Sequence, residues 1–166
     1  MFPLKPTYYI DGTVEEIDLK LLSKDGIRGL ILDLDNTIMR PRSGYFCDKV
    51  LPWLKEAKSL GLKIIIVTNN INDEYLRKIA PVLQENDLPI ISKAKKPRKT
   101  KLKEALNQLA LEPEAVCIVG DRVLTDVLGG YLLNMKTAFV KPLLGAEENP
   151  LFRILRAVEE SLLQKY

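Results

Sequence analysis

The sequence predicts an α/β fold: a doubly wound, Rossmann-like parallel sheet of about five strands with helices on both faces. Two observations carry this. Short apolar runs rich in β-branched residues recur along the chain, and segments with helical spacing of apolar residues fill the gaps between them. The runs are apolar on both faces, as buried strands of a parallel sheet must be.

In chain order, Asp18–Lys24 is expected to form a small helix in the N-terminal lead-in. The strands are expected at Gly29–Leu34 (GLILDL), Leu62–Thr68 (LKIIIVT), Pro89–Ser92, Ala115–Gly120 (AVCIVG) and Thr137–Val140. Helical periodicity covers Lys49–Leu60, Asn72–Gln84, Lys99–Leu109, Leu124–Leu133 and Leu151–Leu163. Gly61 is placed to stop the first of these and Asn72 to cap the second. With no repeat, low-complexity tract or linker, residues 1–166 are expected to form one domain.

Composition removes several function classes. The chain has no histidine, which excludes Ser-His-Asp and Cys-His triads and any His-ligated metal. Acid–base work must fall to Asp, Glu, Lys, Tyr or Cys. Cys47 and Cys117 are far apart and form no CxxC pair; Cys117, inside AVCIVG, is expected to be a buried thiol. A net charge of +3 is too mild to point to nucleic acid. No apolar stretch approaches a membrane span and no signal peptide is evident, so a cytoplasmic, reducing setting is expected.

Ligands of open α/β sheets bind at the carboxyl ends of the strands, where this chain places its unusual polar residues. Asp33 and Asp35 close the first strand, two apart, so their side chains leave one face roughly 6.5–7 Å apart. One carboxylate can hold a cation and attack while the other moves a proton. Thr68 ends a run of Ile and Val, where its hydroxyl and the Asn69 amide can hold a phosphate oxygen. Lys96 can neutralise phosphate, and Asp121 with Asp126 can complete a hard-oxygen magnesium site beside Gly120.

With these motifs in this order, the chain resembles the haloacid dehalogenase-like (HAD) phosphohydrolases over about residues 28–140. The resemblance rests on Asp33-Leu34-Asp35-Asn36-Thr37, Thr68-Asn69, Lys96, and Gly120-Asp121 through Asp126. It implies that Asp33 is a nucleophile forming an aspartyl-phosphate and that Asp35 is the acid/base. It implies Mg2+ held by Asp33, the Asp35 backbone carbonyl, Asp121 and Asp126, with Asn36, Thr68, Asn69 and Lys96 binding the phosphoryl group. Such a site suits a transferring phosphoryl, which needs in-line attack and charge neutralisation. A response-regulator receiver also combines acids, Thr and Lys, but its acceptor follows a later strand than its acidic pair.

Only 30 residues separate Thr37 from Thr68 and 25 separate Asn70 from Lys96, too few at either point for a cap domain. An open site suits a phosphate on something large. The DNT variant, the lead-in LKPTYYIDGTVEEIDLKLLSKDGIRGLILDLDNT and the AKKP segment resemble the YqeG-like group, itself similar to phosphatidylglycerophosphate phosphatases. The resemblance implies an anionic phospholipid headgroup as substrate. Arg40, Arg42 and Tyr45 are candidates for headgroup contact.

Lys93–Lys103 carries seven basic residues among eleven and no acid, which suits anionic lipid, nucleic acid or plain solvation. The stripe Leu151, Leu155, Val158 and Leu162 suits packing on the sheet or peripheral contact with a membrane surface. Two other readings stay open: a capless phosphatase of a nucleic-acid end or soluble phosphoester, and a basic binding module with a vestigial site.

Overall fold

The computed structural model describes residues 4–143 and 150–163. Six strands form one sheet: β1 (Tyr8–Tyr9), β2 (Gly29–Leu32), β3 (Lys63–Val67), β4 (Ile90–Ile91), β5 (Val116–Gly120) and β6 (Lys136–Phe139). They are all parallel, in the order β1-β6-β5-β2-β3-β4. The helices are α1 (Leu19–Lys24), α2 (Val50–Ser59), α3 (Asp73–Glu85), α4 (Lys99–Leu109), α5 (Leu128–Tyr131) and α6 (Pro150–Leu163).

The period-2 alternation of the central strands divides the core into two layers. Leu30, Leu32, Ile64, Ile66, Cys117 and Val119 face Trp53 and Leu54 of α2 and Ile79 of α3. Ile31, Ile65, Val67, Val116 and Ile118 face Leu102, Ala105, Leu106 and Leu109, one stripe of α4. Asn72 caps α3 as expected, accepting the Tyr75 N–H at 3.0 Å, and Asp18, expected inside the first small helix, instead caps it by accepting from Lys20 and Leu21. Cys117 is buried and burial pushes its thiol up.

Three elements depart from expectation. The strand β1 was not expected, because its two residues sit between Pro6 and Asp11-Gly12. It holds by register with β6, by Thr7 N–H on Thr137 Oγ1 at 3.0 Å, and by Tyr9 stacking on Phe139 at 5.7 Å. The strand β2 stops at Leu32 rather than Leu34, since Asn36 turns left-handed (φ 62°) and the Ile38 and Met39 N–H groups fold back onto Leu34 O. The expected helix Leu124–Leu133 is instead a π-helical turn, Val123–Val127, running into the short α5.

The chain crosses from β4 to β5 on the far side of β2, so the topological switch point lies among β3, β2 and β5. Asp33, Thr68 and Asp121 are the residues that directly follow or lie one past these three strands. The sheet itself therefore delivers them to one mouth. Among the described residues, no cap domain stands over it, and the segments after β2 and β3 lead directly into α2 and α3.

Candidate active site

Lys96 organises the site. Its Nζ donates to Asp33 Oδ1 at 2.7 Å and to Asp126 Oδ1 at 2.6 Å, and the lysine is 5% exposed. Asn69 holds its backbone from both sides: Oδ1 accepts the Lys96 N–H at 2.6 Å and Nδ2 donates to Lys96 O at 3.1 Å. The side chain of Asn69 thus fixes Lys96, while Thr68 and Asn69 themselves sit beyond β3 at the mouth. Thr68 Oγ1 accepts the Asn70 N–H at 3.0 Å. Among the described residues its own proton has no acceptor, which leaves it able to donate to a ligand.

Asp33, Asp121 and Asp126 each offer a carboxylate oxygen within 4.8 Å of the others. Gly120 permits this, because a Cβ there would collide with the Asp126 carboxylate. Asp126 is not a helix N-cap; it sits inside the π-helical turn and accepts the Arg122 N–H at 3.3 Å. The Asp35 carboxylate stands outside this trio. Its Oδ2 accepts from Asn70 Nδ2 at 2.8 Å, and its Oδ1 is buried without a hydrogen-bond partner among the described residues. Asn36 uses its backbone to shape the turn, donating to Met39 O and accepting from Leu143 N.

Three carboxyl groups face one ammonium in a buried space, and all three ionised would leave two negative charges uncompensated. Burial pushes the Asp33 carboxyl up to about 8; Lys96 opposes this, and Asp126 and Asp121 add to it. Burial also raises Asp35, against the pull of Asn70 and Lys96. For Lys96, burial acts downward, but Asp126 and Asp33 outweigh it and hold the ammonium above the ordinary lysine range. Surplus carboxylate oxygen with no histidine or thiolate nearby fits a hard divalent cation.

The structure adds residues that sequence reading passed over. Arg122, beside Asp121, donates from Nε and Nη2 to Glu159 of α6 at 2.8 and 3.1 Å, and Glu159 Oε1 also accepts the Leu124 N–H at 3.4 Å. Glu159 is 1% exposed, so α6 clamps the turn that carries Asp126. Its partner lies in another segment, which no local pattern reveals. Glu159→Ala is expected to lower stability and to weaken apparent affinity for a divalent cation, probed with magnesium, about tenfold, as loss of a ligand-orienting contact does. Magnesium-dependent thermal shifts check this; an unchanged midpoint in magnesium would separate α6 from the site.

The described half of the α6 stripe does not pack on the sheet: Leu155 and Val158 are exposed, as is Ile154, while Glu159 is buried on Arg122 and Leu163 packs against Val123, Val127 and Phe139. The side chains of Leu151 and Leu162 lie outside the described residues. Arg40, Arg42 and Tyr45 are exposed on the flap after β2, outside the acidic cluster of Asp33, Asp121 and Asp126. No helix of the described residues is long and apolar enough to cross a membrane.

The family model described as mitochondrial PGP phosphatase matches residues 4–140. The protein named "Probable phosphatase YqeG" of Bacillus subtilis is 32% identical over 142 residues, covering 86% of this chain and 80% of its own. Phosphatidylglycerophosphate phosphatase 1 of Arabidopsis thaliana is 27% identical over 156 residues, covering 90% of this chain but only 44% of its own length. Among solved structures, the p-nitrophenyl phosphatase of Archaeoglobus fulgidus superposes with a TM-score of 0.56 at 16% identity, over 81% of this chain and 93% of that one. Such a likeness shows a HAD-like fold, with no cap domain among the described residues, and the sequence relatives show the family: the chain is a phosphatase of the PGP phosphatase family.

Proposed function

We propose that the protein is a magnesium-dependent phosphomonoesterase, working through an aspartyl-phosphate on Asp33, that converts phosphatidylglycerophosphate to phosphatidylglycerol. The observation that carries the chemistry is the buried Asp33–Lys96–Asp126 bridge with Asp121 beside it. Asp33 attacks phosphorus in line, and the bond between phosphorus and the ester oxygen breaks. The departing alkoxide takes a proton from Asp35, which burial favours in its neutral form. Asp35 then accepts a proton from water as that water attacks the phosphorus of the aspartyl-phosphate. Phosphate leaves and Asp33 is regenerated.

Lys96, the Thr68 hydroxyl and the Asn69 N–H hold the phosphoryl oxygens. Asp33, Asp121, Asp126 and the Asp35 carbonyl would hold magnesium, which neutralises charge on the transferring group and aligns it with Asp33. Asn36, left-handed at φ 62°, shapes the turn that directly follows Asp33 and Asp35.

Several features support the lipid reading. The two relatives named phosphatidylglycerophosphate phosphatase 1, from Arabidopsis and Chlamydomonas reinhardtii, carry that substrate in their names. The mouth is open, and its rim combines exposed Lys95, Arg98 and Lys99 with exposed Tyr45, Ile71 and Leu124. Ile154, Leu155 and Val158 of α6 are exposed apolar residues as well. Basic and apolar groups together suit peripheral contact with an anionic membrane surface.

The test is phosphate release from phosphatidylglycerophosphate in mixed micelles, with and without magnesium, beside p-nitrophenyl phosphate and a 3′-phosphorylated oligonucleotide. Strong preference for the lipid is expected. Turnover of the small ester with no lipid preference would leave a phosphatase and remove the substrate; oligonucleotide preference would replace it.

The acidic excess also sets a pH dependence. In the metal-free protein the folded Asp33 carboxyl binds its proton more tightly than the unfolded one, so stability is highest below the ordinary Asp range. It falls as pH rises toward about 8. Added magnesium is therefore expected to raise the melting temperature more at pH 8 than at pH 5. A magnesium shift of equal size at both values would contradict the assignment of the cluster to the metal.

A further inference from the structure

Asn70, the residue after the Thr68-Asn69 pair, is bound on every side. Its N–H donates to Thr68 Oγ1 at 3.0 Å and its carbonyl accepts the Lys93 N–H at 3.1 Å. Its Oδ1 accepts the Asn72 N–H at 2.8 Å. That last contact settles which way the side-chain amide points, because a backbone N–H can donate only to the oxygen. The NH2 must then face Asp35, and Nδ2 lies 2.8 Å from Asp35 Oδ2. Asn72 is in turn held as the cap of α3, so the orientation of this donor is anchored through Asn72 to the first turn of that helix.

The consequence falls on Asp35. An oxygen that accepts a fixed N–H is the carbonyl-like oxygen of a neutral carboxyl, so the transferable hydrogen belongs on Oδ1. Oδ1 is the oxygen that lies buried with no hydrogen-bond partner among the described residues. A buried acceptor or donor left unmatched costs free energy unless a ligand meets it. We propose that Asn70 is a positioning residue for the phosphatase reaction, pinning Oδ2 of Asp35 so that Oδ1 presents its proton to the leaving-group oxygen of the substrate. This rests on the reading of Asp35 as the acid.

The role makes a demand that a merely structural residue would not. Protonation of the leaving group matters for an alkoxide and hardly at all for p-nitrophenolate, which departs unaided. The quantity to measure is kcat/KM, which reports the steps through alcohol release, for p-nitrophenyl phosphate and for simple alkyl phosphates. In Asn70→Ala, kcat/KM for p-nitrophenyl phosphate is expected to stay within about threefold of wild type, while alkyl phosphates lose about 10- to 100-fold, part of the range for general acid catalysis. Asn70→Ser keeps an uncharged side-chain oxygen that can accept the Asn72 N–H and is too short to reach Asp35 Oδ2, so it serves if the alanine variant fails to fold. The same selective loss is expected there.

Equal losses on both substrates, or none on either, would overturn the positioning role. Asp35→Asn is the reference. If it shows the leaving-group selectivity and the Asn70 variants do not, only the Asn70 proposal falls. If Asp35→Asn shows none, the acid assignment falls and the proposal with it.

Discussion

Asn in place of Asp33 is expected to lower phosphate release by about 10^4-fold or more, because the amide cannot attack phosphorus and no other carboxylate can take its place. Asp35 is held by Asn70, and Asp121 and Asp126 belong to the neighbouring trio with Asp33. Folding should survive. The substitution keeps the volume, removes one of three crowded negative charges, and leaves Lys96 its 2.6 Å partner, Asp126. The metal-free variant is even expected to match or exceed wild-type stability at pH 8, where the Asp33 charge is most costly. Steady-state turnover and urea unfolding check the two halves. Substantial turnover that persists after deamidation back to Asp is excluded would remove Asp33 as nucleophile.

Lys96→Met is expected to damage both stability and activity. The ammonium, 1% exposed as a side chain, is the cation that Asp33 and Asp126 share. Methionine fills much of the same space but leaves buried carboxylates without a partner, and breaking a buried pair from one side costs about 3–5 kcal/mol. Proton uptake by a carboxyl limits that cost at low pH. With the lysine gone, the folded Asp33 carboxyl binds its proton more tightly still, so the loss of stability should grow as pH rises from 5 to 8. Magnesium should restore part of the stability but not the turnover, which falls about 10^3-fold with the loss of a phosphoryl-directed cation. Urea unfolding in a chelator at both pH values, repeated with magnesium, measures this. A variant as stable as wild type at pH 8 would contradict the charge arrangement.

Much of the site was legible because three of its four motifs directly follow a buried strand, Lys96 alone lying on a loop beyond β4. The alternation in GLILDL, KIIIV and VCIVG fixes which residues are core, and the next polar residues must emerge at the carboxyl end. Helices with long apolar stripes, such as Leu102, Ala105, Leu106 and Leu109, were equally readable. Elements decided by distant partners were not. Tyr8–Tyr9 becomes a strand only because β6 offers an edge. The turn around Asp126 is π-helical where Gly120 admits its carboxylate and Gly130 packs against Ile118 and Thr137. In α6 the apolar stripe suggested the inward face, yet Glu159 is inside because Arg122 meets it there and Leu155 is outside. Asn70 reads as one more polar turn residue until its amide is found against Asp35.

The covalent intermediate is the claim on which the rest depends, and it can be trapped directly. In Asp35→Asn, p-nitrophenyl phosphate still supplies a good leaving group, while the second step lacks the base that activates water. The phosphoenzyme should therefore accumulate, and acid-quenched protein should carry one phosphoryl group per chain on the peptide containing Asp33, labile to hydroxylamine. Rapid turnover by this variant with no phosphoenzyme, or a phosphoryl group on any other residue, would contradict the mechanism.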